Sequence, residues 1–217
     1  MTPTRPPRRQ EDRDRATARI VQAATALYHR HGIENVSYGD IARKARVSRP
    51  LLYFYFPTPR DLLMAAVLEA SRKLHARFER AIAGAVTGLA GTEAIGRAYL
   101  AFHAEDPASF FLCMAAGPQR GPRANPTETE QALQAESSAS MHLLVAQLER
   151  GHRDGSIDPK AGAPLVVALC LWSLSHGLAQ FTTVQATAMR EEYRVDTAAF
   201  LDAGMRLLSR ALAPAEK

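Results

Sequence analysis

The chain has little of what staples small or extracellular domains together. It has two cysteines, Cys113 and Cys170, far apart in apolar runs and with no Cys-x-x-Cys pair. That argues against a disulfide framework and a cysteine-based zinc module, and it suits a reducing compartment. No alternating Val/Thr/Tyr run bounded by turn residues occurs, so strands are not expected. No apolar run follows the N-terminal arginines, which argues against a signal peptide. An 18-residue apolar span is likewise not expected, so the reading is a soluble cytoplasmic protein with no membrane partner. There is no internal repeat. What is present is enough apolar residue, 47% against 23% charged, to bury a core without staples.

Acid is scarce at one end. Residues 1–60 hold 12 Arg/Lys against five Asp/Glu, although the whole chain carries a formal charge of only +5. A basic head on a near-neutral body points to a polyanionic partner for the head and another task for the body. Residues 1–11, MTPTRPPRRQE, lack apolar periodicity and read as a flexible basic arm.

From Arg13 the pattern is helical, with Ile20, Ala24, Leu27, Tyr28 and His31 on one face and Gly32 ending the helix. Ser37, followed three residues on by Asp40, reads as a capping box opening a short second helix. Ser48 caps a third, with Arg49 and Pro50 in its first turn. Thr58-Pro59-Arg60-Asp61 repeats the start signal and opens a long helix to about residue 83. Further helices are expected over about 92–104, 107–116, 127–152, 160–184 and 193–212, with a long loop at 117–126. The fold class is all-α, about nine helices: a head over 12–58 and a larger helical body over 59–217.

The stretch VSRPLLYFYFPTPRDLL, residues 47–63, combines four aromatic side chains with two arginines. Val47, Leu52 and Phe56 fall at spacings that bury one side of the third helix, leaving Arg49, Tyr53, Phe54 and Tyr55 to project outward. The second and third helices, joined through RKARV, form a helix-turn-helix whose third helix suits the major groove. Arg49 stands where a guanidinium can fork onto guanine O6 and N7. Tyrosine hydroxyls and helix N-terminal amides suit phosphates, which set register rather than sequence.

Residues 13–63 resemble the DNA-binding domain of the TetR family of bacterial regulators, through VSYGDIARKARVS and SRPLLYFYF…RDLL. Three positions depart from the family pattern. Arg46 replaces the usual glycine closing the second helix and must take a left-handed backbone or reshape the turn. Leu51 replaces a small polar residue. Pro59 replaces a frequent lysine, leaving its phosphate to Arg60 or to bare amides. The resemblance implies DNA contacts from Ser37, Tyr38, Ser48, Arg49, Pro50, Tyr53, Phe54, Tyr55 and Arg60. It also implies a C-terminal domain that dimerises and holds a ligand, and AYLAFHAEDPASFFLCM and LWSLSHGLAQF resemble one family C-terminal type, with Trp172, His176 and Gly177 forming a Trp-x-x-x-His-Gly signature.

Candidate pocket residues are Phe102, His103, Phe110, Phe111, Met114, Met141, Leu144, Trp172 and His176, large apolar groups with a few polar ones among them. The apolar helix near 163–184 and the last helix are candidates for a dimer seam. No catalytic or metal set is expected: His29 and His31 face different ways, and Cys113 in FFLCMAA has no identifiable orienting acid. No cofactor is called for. The expectation is therefore a ligand-released, dimeric repressor of a palindromic operator in double-stranded DNA. The alternatives are a ligand-independent DNA-binding adaptor that recruits a protein, and an enzyme with a helix-turn-helix remnant.

Overall fold

Four side-chain start signals open helices along the chain. Ser37 closes a reciprocal capping box with Asp40, its hydroxyl accepting from the Asp40 amide at 3.2 Å while the Ser37 amide donates to the Asp40 carboxylate at 3.3 Å. Thr58 and Asp61 repeat this at 3.0 and 3.2 Å, and Thr127 and Glu130 at 2.9 and 3.2 Å. Ser48 accepts from the Leu51 amide at 3.3 Å. Each satisfies N–H groups that a helix start leaves open.

The computed structural model describes residues 8–115 and 124–215. Among these residues there are nine α-helices and no strands: α1 (Arg8–His31), α2 (Tyr38–Ala45), α3 (Arg49–Tyr55), α4 (Pro59–Ile82), α5 (Gly88–Glu105), α6 (Pro107–Ala115), α7 (Glu128–Asp154), α8 (Pro164–Val184) and α9 (Thr197–Leu212). The all-α expectation is met. Helix α1 begins at Arg8, so the end of the segment expected to be an arm is helical, and residues 1–7 lie outside the described residues. Most of the expected loop at 117–126 also lies outside them.

The chain divides into two compact units, residues 1–72 with 106–135 and residues 73–105 with 136–217. The division falls within α4. In the first unit α1 packs on α2 and α6 around Ile20, Ala24, Ile41 and Leu52, all fully buried. Burial pushes the Tyr28 hydroxyl of this core up to about 12. Cys113 is buried there, its sulfur 4.0 Å from the Ser71 hydroxyl.

In the second unit α5, α8 and α9 pack together, and α7 meets α5 at two glycines. A Cβ on Gly88 would collide with the Gly151 backbone, so the small residue is what permits the close approach. The Asp154 carboxylate accepts from the Gly88 amide at 2.8 Å and from the Ser156 amide at 3.0 Å, and the Ser156 hydroxyl, first, with these two amides holds its pKa below the ordinary value.

Helix α8 corrects one sequence reading. Its 21 residues are long and apolar enough, by length and composition, to cross a membrane, although no such span was expected. The apolar run is interrupted only by Ser, Thr, Gln, His and Gly, which lower hydropathy too little to break the span. One side of the helix, at Val167, Ala168, Ser175 and Ala179, is buried within the unit.

Candidate nucleic-acid interface

Helix α2 ends on Arg46 in the left-handed conformation, φ 55° and ψ 48°, its amide donating to carbonyls of the last turn. The chain thus keeps the turn that glycine would make easily and places arginine there at a steric cost. Val47 then bonds back to the Ala42 carbonyl at 3.0 Å, and Ser48 starts α3.

Helix α3 is pinned by its inner side. Leu52 is fully buried and Phe56 nearly so, while Ser48, Arg49, Pro50, Tyr53 and Phe54 face solvent. Phe54 is 73% exposed, which excludes a core role. Its ring meets that of half-buried Tyr55 edge-on at 5.3 Å, and the Arg13 guanidinium lies 6.0 Å from the Tyr55 ring centre. The Arg49 guanidinium occupies the space a Cβ on Gly39 would fill. That neighbour was not expected from sequence; a glycine in the first turn of α2, where helix propensity disfavours it, is the signal that marks it.

Three expected contacts have other partners. Tyr38 is buried, and its hydroxyl lies 2.9 Å from the Phe56 carbonyl and 2.5 Å from that of Thr58. Burial, first, and neighbouring Tyr28, Asp61 and Tyr53 drive its pKa upward, so it stays a neutral donor. It supports the interface from beneath: its ring centre is 4.9 Å from that of exposed Tyr53. Ser37 directs its hydroxyl hydrogen to Asp40 at 2.5 Å, a bond that leads in lowering the Asp40 pKa. Arg60 is held by Glu130 across two bonds of 2.9 and 2.8 Å with both side chains largely buried. The start of α4 therefore presents the exposed Thr58 and Pro59 rather than a free cation. Exposed Arg43, Lys44 and Arg46 add positive charge at the end of α2, Arg43 sharing its charge with Asp40 at 3.2 Å.

The expected pocket residues are divided between the two units. Phe110, Phe111 and Met114 lie on α6 in the first unit, where Phe111 meets the His29 ring at 5.8 Å. In the second unit Phe102 is fully buried beneath the Arg77 guanidinium, 5.3 Å from its ring centre. His103 Nε2 lies 2.9 Å from the Thr183 hydroxyl and His176 Nδ1 lies 3.2 Å from the Tyr99 hydroxyl. Met141 is half-buried on α7. Leu144 and Trp172 do share a cavity, of about 50 Å³, with Phe78, Ile95, Tyr99 and Met205. That space holds a few waters or a small chemical group, well below the roughly 300 Å³ at which drug-sized sites begin.

A helix-turn-helix with an aromatic and basic outer face, carried with a second helical unit, defines a DNA-binding regulator. Residues 20–66 match the family described as bacterial regulatory proteins, tetR family, and residues 92–208 match the tetracyclin repressor-like C-terminal domain. The second match alone spans more than half the chain, which belongs to the tetR family of bacterial transcription regulators. No curated protein matches it. Among solved structures, a tetR-family regulatory protein from Rhodococcus RHA1 is similar over 93% of this chain and 98% of that one, with 19% identity and a TM-score of 0.72. A Rhodococcus sp. RHA1 protein of unknown function reaches a TM-score of 0.74 at 22% identity, over 92% and 96% of the two chains. The transcriptional regulator FadR from Bacillus subtilis, in complex with stearoyl-CoA, has 17% identity and a TM-score of 0.68, covering 90% of this chain and 98% of that one.

Proposed function

We propose that the protein is a homodimeric repressor that binds a palindromic operator through the segment from Ser37 to Tyr55 and leaves it when a small, mainly apolar ligand occupies the second unit. The observation that carries this reading is helix α3: Leu52 and Phe56 are anchored in the core while Arg49, Tyr53 and Phe54 are exposed on the other side. Arg49 reads a base edge, and Ser48 and Tyr53 hold phosphates. The basic N-terminal residues, through the start of α1, add counterion-displacing contacts, so affinity falls steeply with salt.

Dimerisation is supported by α8. Leu165, Val166, Leu169, Leu174 and Val184 are exposed along it, and Leu207 on α9 is 68% exposed. A run of large apolar side chains in water favours burial against another surface. A second copy satisfies both needs, because one short head offers too few contacts and half-sites are read in pairs about 34–36 Å apart. The ligand acts by favouring a dimer in which that spacing is lost, so DNA and ligand weaken each other's binding. FadR, similarly folded, carries stearoyl-CoA, and a largely apolar ligand is in keeping with the apolar lining around Leu144 and Trp172.

Sedimentation at micromolar concentration tests the assembly. A dimer is expected, with Val166→Glu shifting it to monomer and abolishing tight DNA binding. A wild-type monomer, free and on DNA, would contradict the reading. The adaptor alternative keeps the DNA binding but predicts release by no small molecule.

A further inference from the structure

The cavity on α5, α7, α8 and α9 has a charge of one sign only. Glu93 is the single ionisable acid or base of ordinary pH among its described lining residues, which include no Lys, Arg or His. The Ser209 hydroxyl donates to one of its oxygens, and Glu93 forms no ion pair among the described residues. The cation one helical turn away does not compensate it. Arg97 pairs with Asp202 at 3.2 Å, and Arg206 pairs with the same Asp202 carboxylate. Other polar groups of the lining are turned to the protein: the Thr92 hydroxyl donates to the Gly88 carbonyl at 2.9 Å, and the Tyr99 hydroxyl meets His176. Three aromatic rings, Phe78, Tyr99 and Trp172, complete the wall.

We infer that this cavity is a site for the head of a cationic amphiphile, an ammonium or similar group on an apolar body. A half-buried carboxylate with no ion pair among the described residues gains from an incoming cation, and aromatic faces attract the same charge. An anionic head would meet a like charge, and a neutral one would leave the carboxylate uncompensated. The volume of about 50 Å³ suits a head group rather than a whole ligand. The apolar body lies against Trp172, whose ring lines the cavity. This inference rests on the ligand-released reading above and gives that ligand its charge.

The test uses the emission of Trp172, the chain's one tryptophan, in the full-length protein. It is titrated with benzyltrimethylammonium and with its neutral carbon isostere, neopentylbenzene, for the wild type and for Glu93→Gln, which keeps an acceptor for Ser209. Circular dichroism confirms that the variant is folded. The wild type is expected to bind the cation about tenfold more tightly, the scale of a desolvated cation–aromatic contact beside a carboxylate. Glu93→Gln is expected to lose that preference. Equal affinities in the wild type, a preference retained in the variant, or no cation-induced change into the millimolar range would overturn the inference. Release of selected DNA is followed in the same samples. Cation binding without release would support the site and contradict the effector reading. Tighter binding and DNA release by the neutral compound would overturn the charge assignment and leave the effector reading standing.

Discussion

The Tyr38 hydroxyl lies 2.9 Å from the backbone carbonyl of Phe56, joining the first residue of α2 to the residue that ends α3. The same group is within 2.5 Å of the Thr58 carbonyl, which starts α4. One buried O–H thus fixes three helices of the head at a single point. Tyr38→Phe leaves buried acceptors short of a donor, and a loss of about 1–3 kcal/mol is expected in urea unfolding. DNA affinity should fall for all sequences alike, because α3 is displaced as a whole. An unchanged unfolding midpoint would show that the bond is replaced by water at no cost.

Arg46 offers a test of opposite sign. Its left-handed backbone costs a side-chain residue about 1–2 kcal/mol, of which glycine's greater unfolded freedom returns part. Arg46→Gly is expected to stabilise the head by roughly 0.5–1 kcal/mol, read from the denaturant midpoint. The same change removes an exposed cation beside α3 and should reduce the salt slope of DNA binding.

The interface residues separate into readers and holders. Arg49→Ala is expected to relax base preference in a binding-site selection. Tyr53→Phe should keep the selected motif and weaken every sequence by about 1 kcal/mol, the size of a lost neutral hydrogen bond. An unchanged motif in Arg49→Ala would reduce Arg49 to a phosphate contact.

Much of this head is legible in sequence because its signals are local. The Ser37–Asp40 and Thr58–Asp61 boxes, the Ser48 cap and the strained Arg46 turn each depend on residues within a few positions of one another. Tyr38 is not legible in that way: its partners are 18 and 20 residues away, and a helix-start tyrosine beside a basic patch reads equally well as a surface donor. Arg60 fails for the same reason, since Glu130 is 70 residues on. In the second unit only apolar character is visible from sequence. It groups Phe110 and Phe111 with Trp172, although the first two lie in the other unit, where Phe110 is buried. The charge of Glu93 is local, but that Arg97, one turn on, is paired with Asp202 is a relation 105 residues apart.

His103 gives the second unit a pH dependence. Burial first, and nearby His176 second, lower its pKa below that of the unfolded chain, which is about 6.5. Between the two values the unfolded chain binds the proton and the folded one does not, so stability rises with pH through that window. The contribution is complete above about pH 6.5 and is lost as pH falls toward the folded value. The thermal stability of the wild type should therefore fall as pH drops below about 6.5, and His103→Gln should flatten that part of the curve. A variant with the wild-type slope would assign the dependence to other groups.

The central claim is that two copies of α3 read DNA as a symmetric pair, and selection of full-length protein against random double-stranded DNA measures this directly. The account predicts an enriched palindrome whose half-site centres are about 10 base pairs, or a multiple of that turn, apart. It also predicts an affinity that falls steeply between about 50 and about 200 mM salt. Recovery of no motif, or of a single unpaired half-site bound by a monomer, would contradict it.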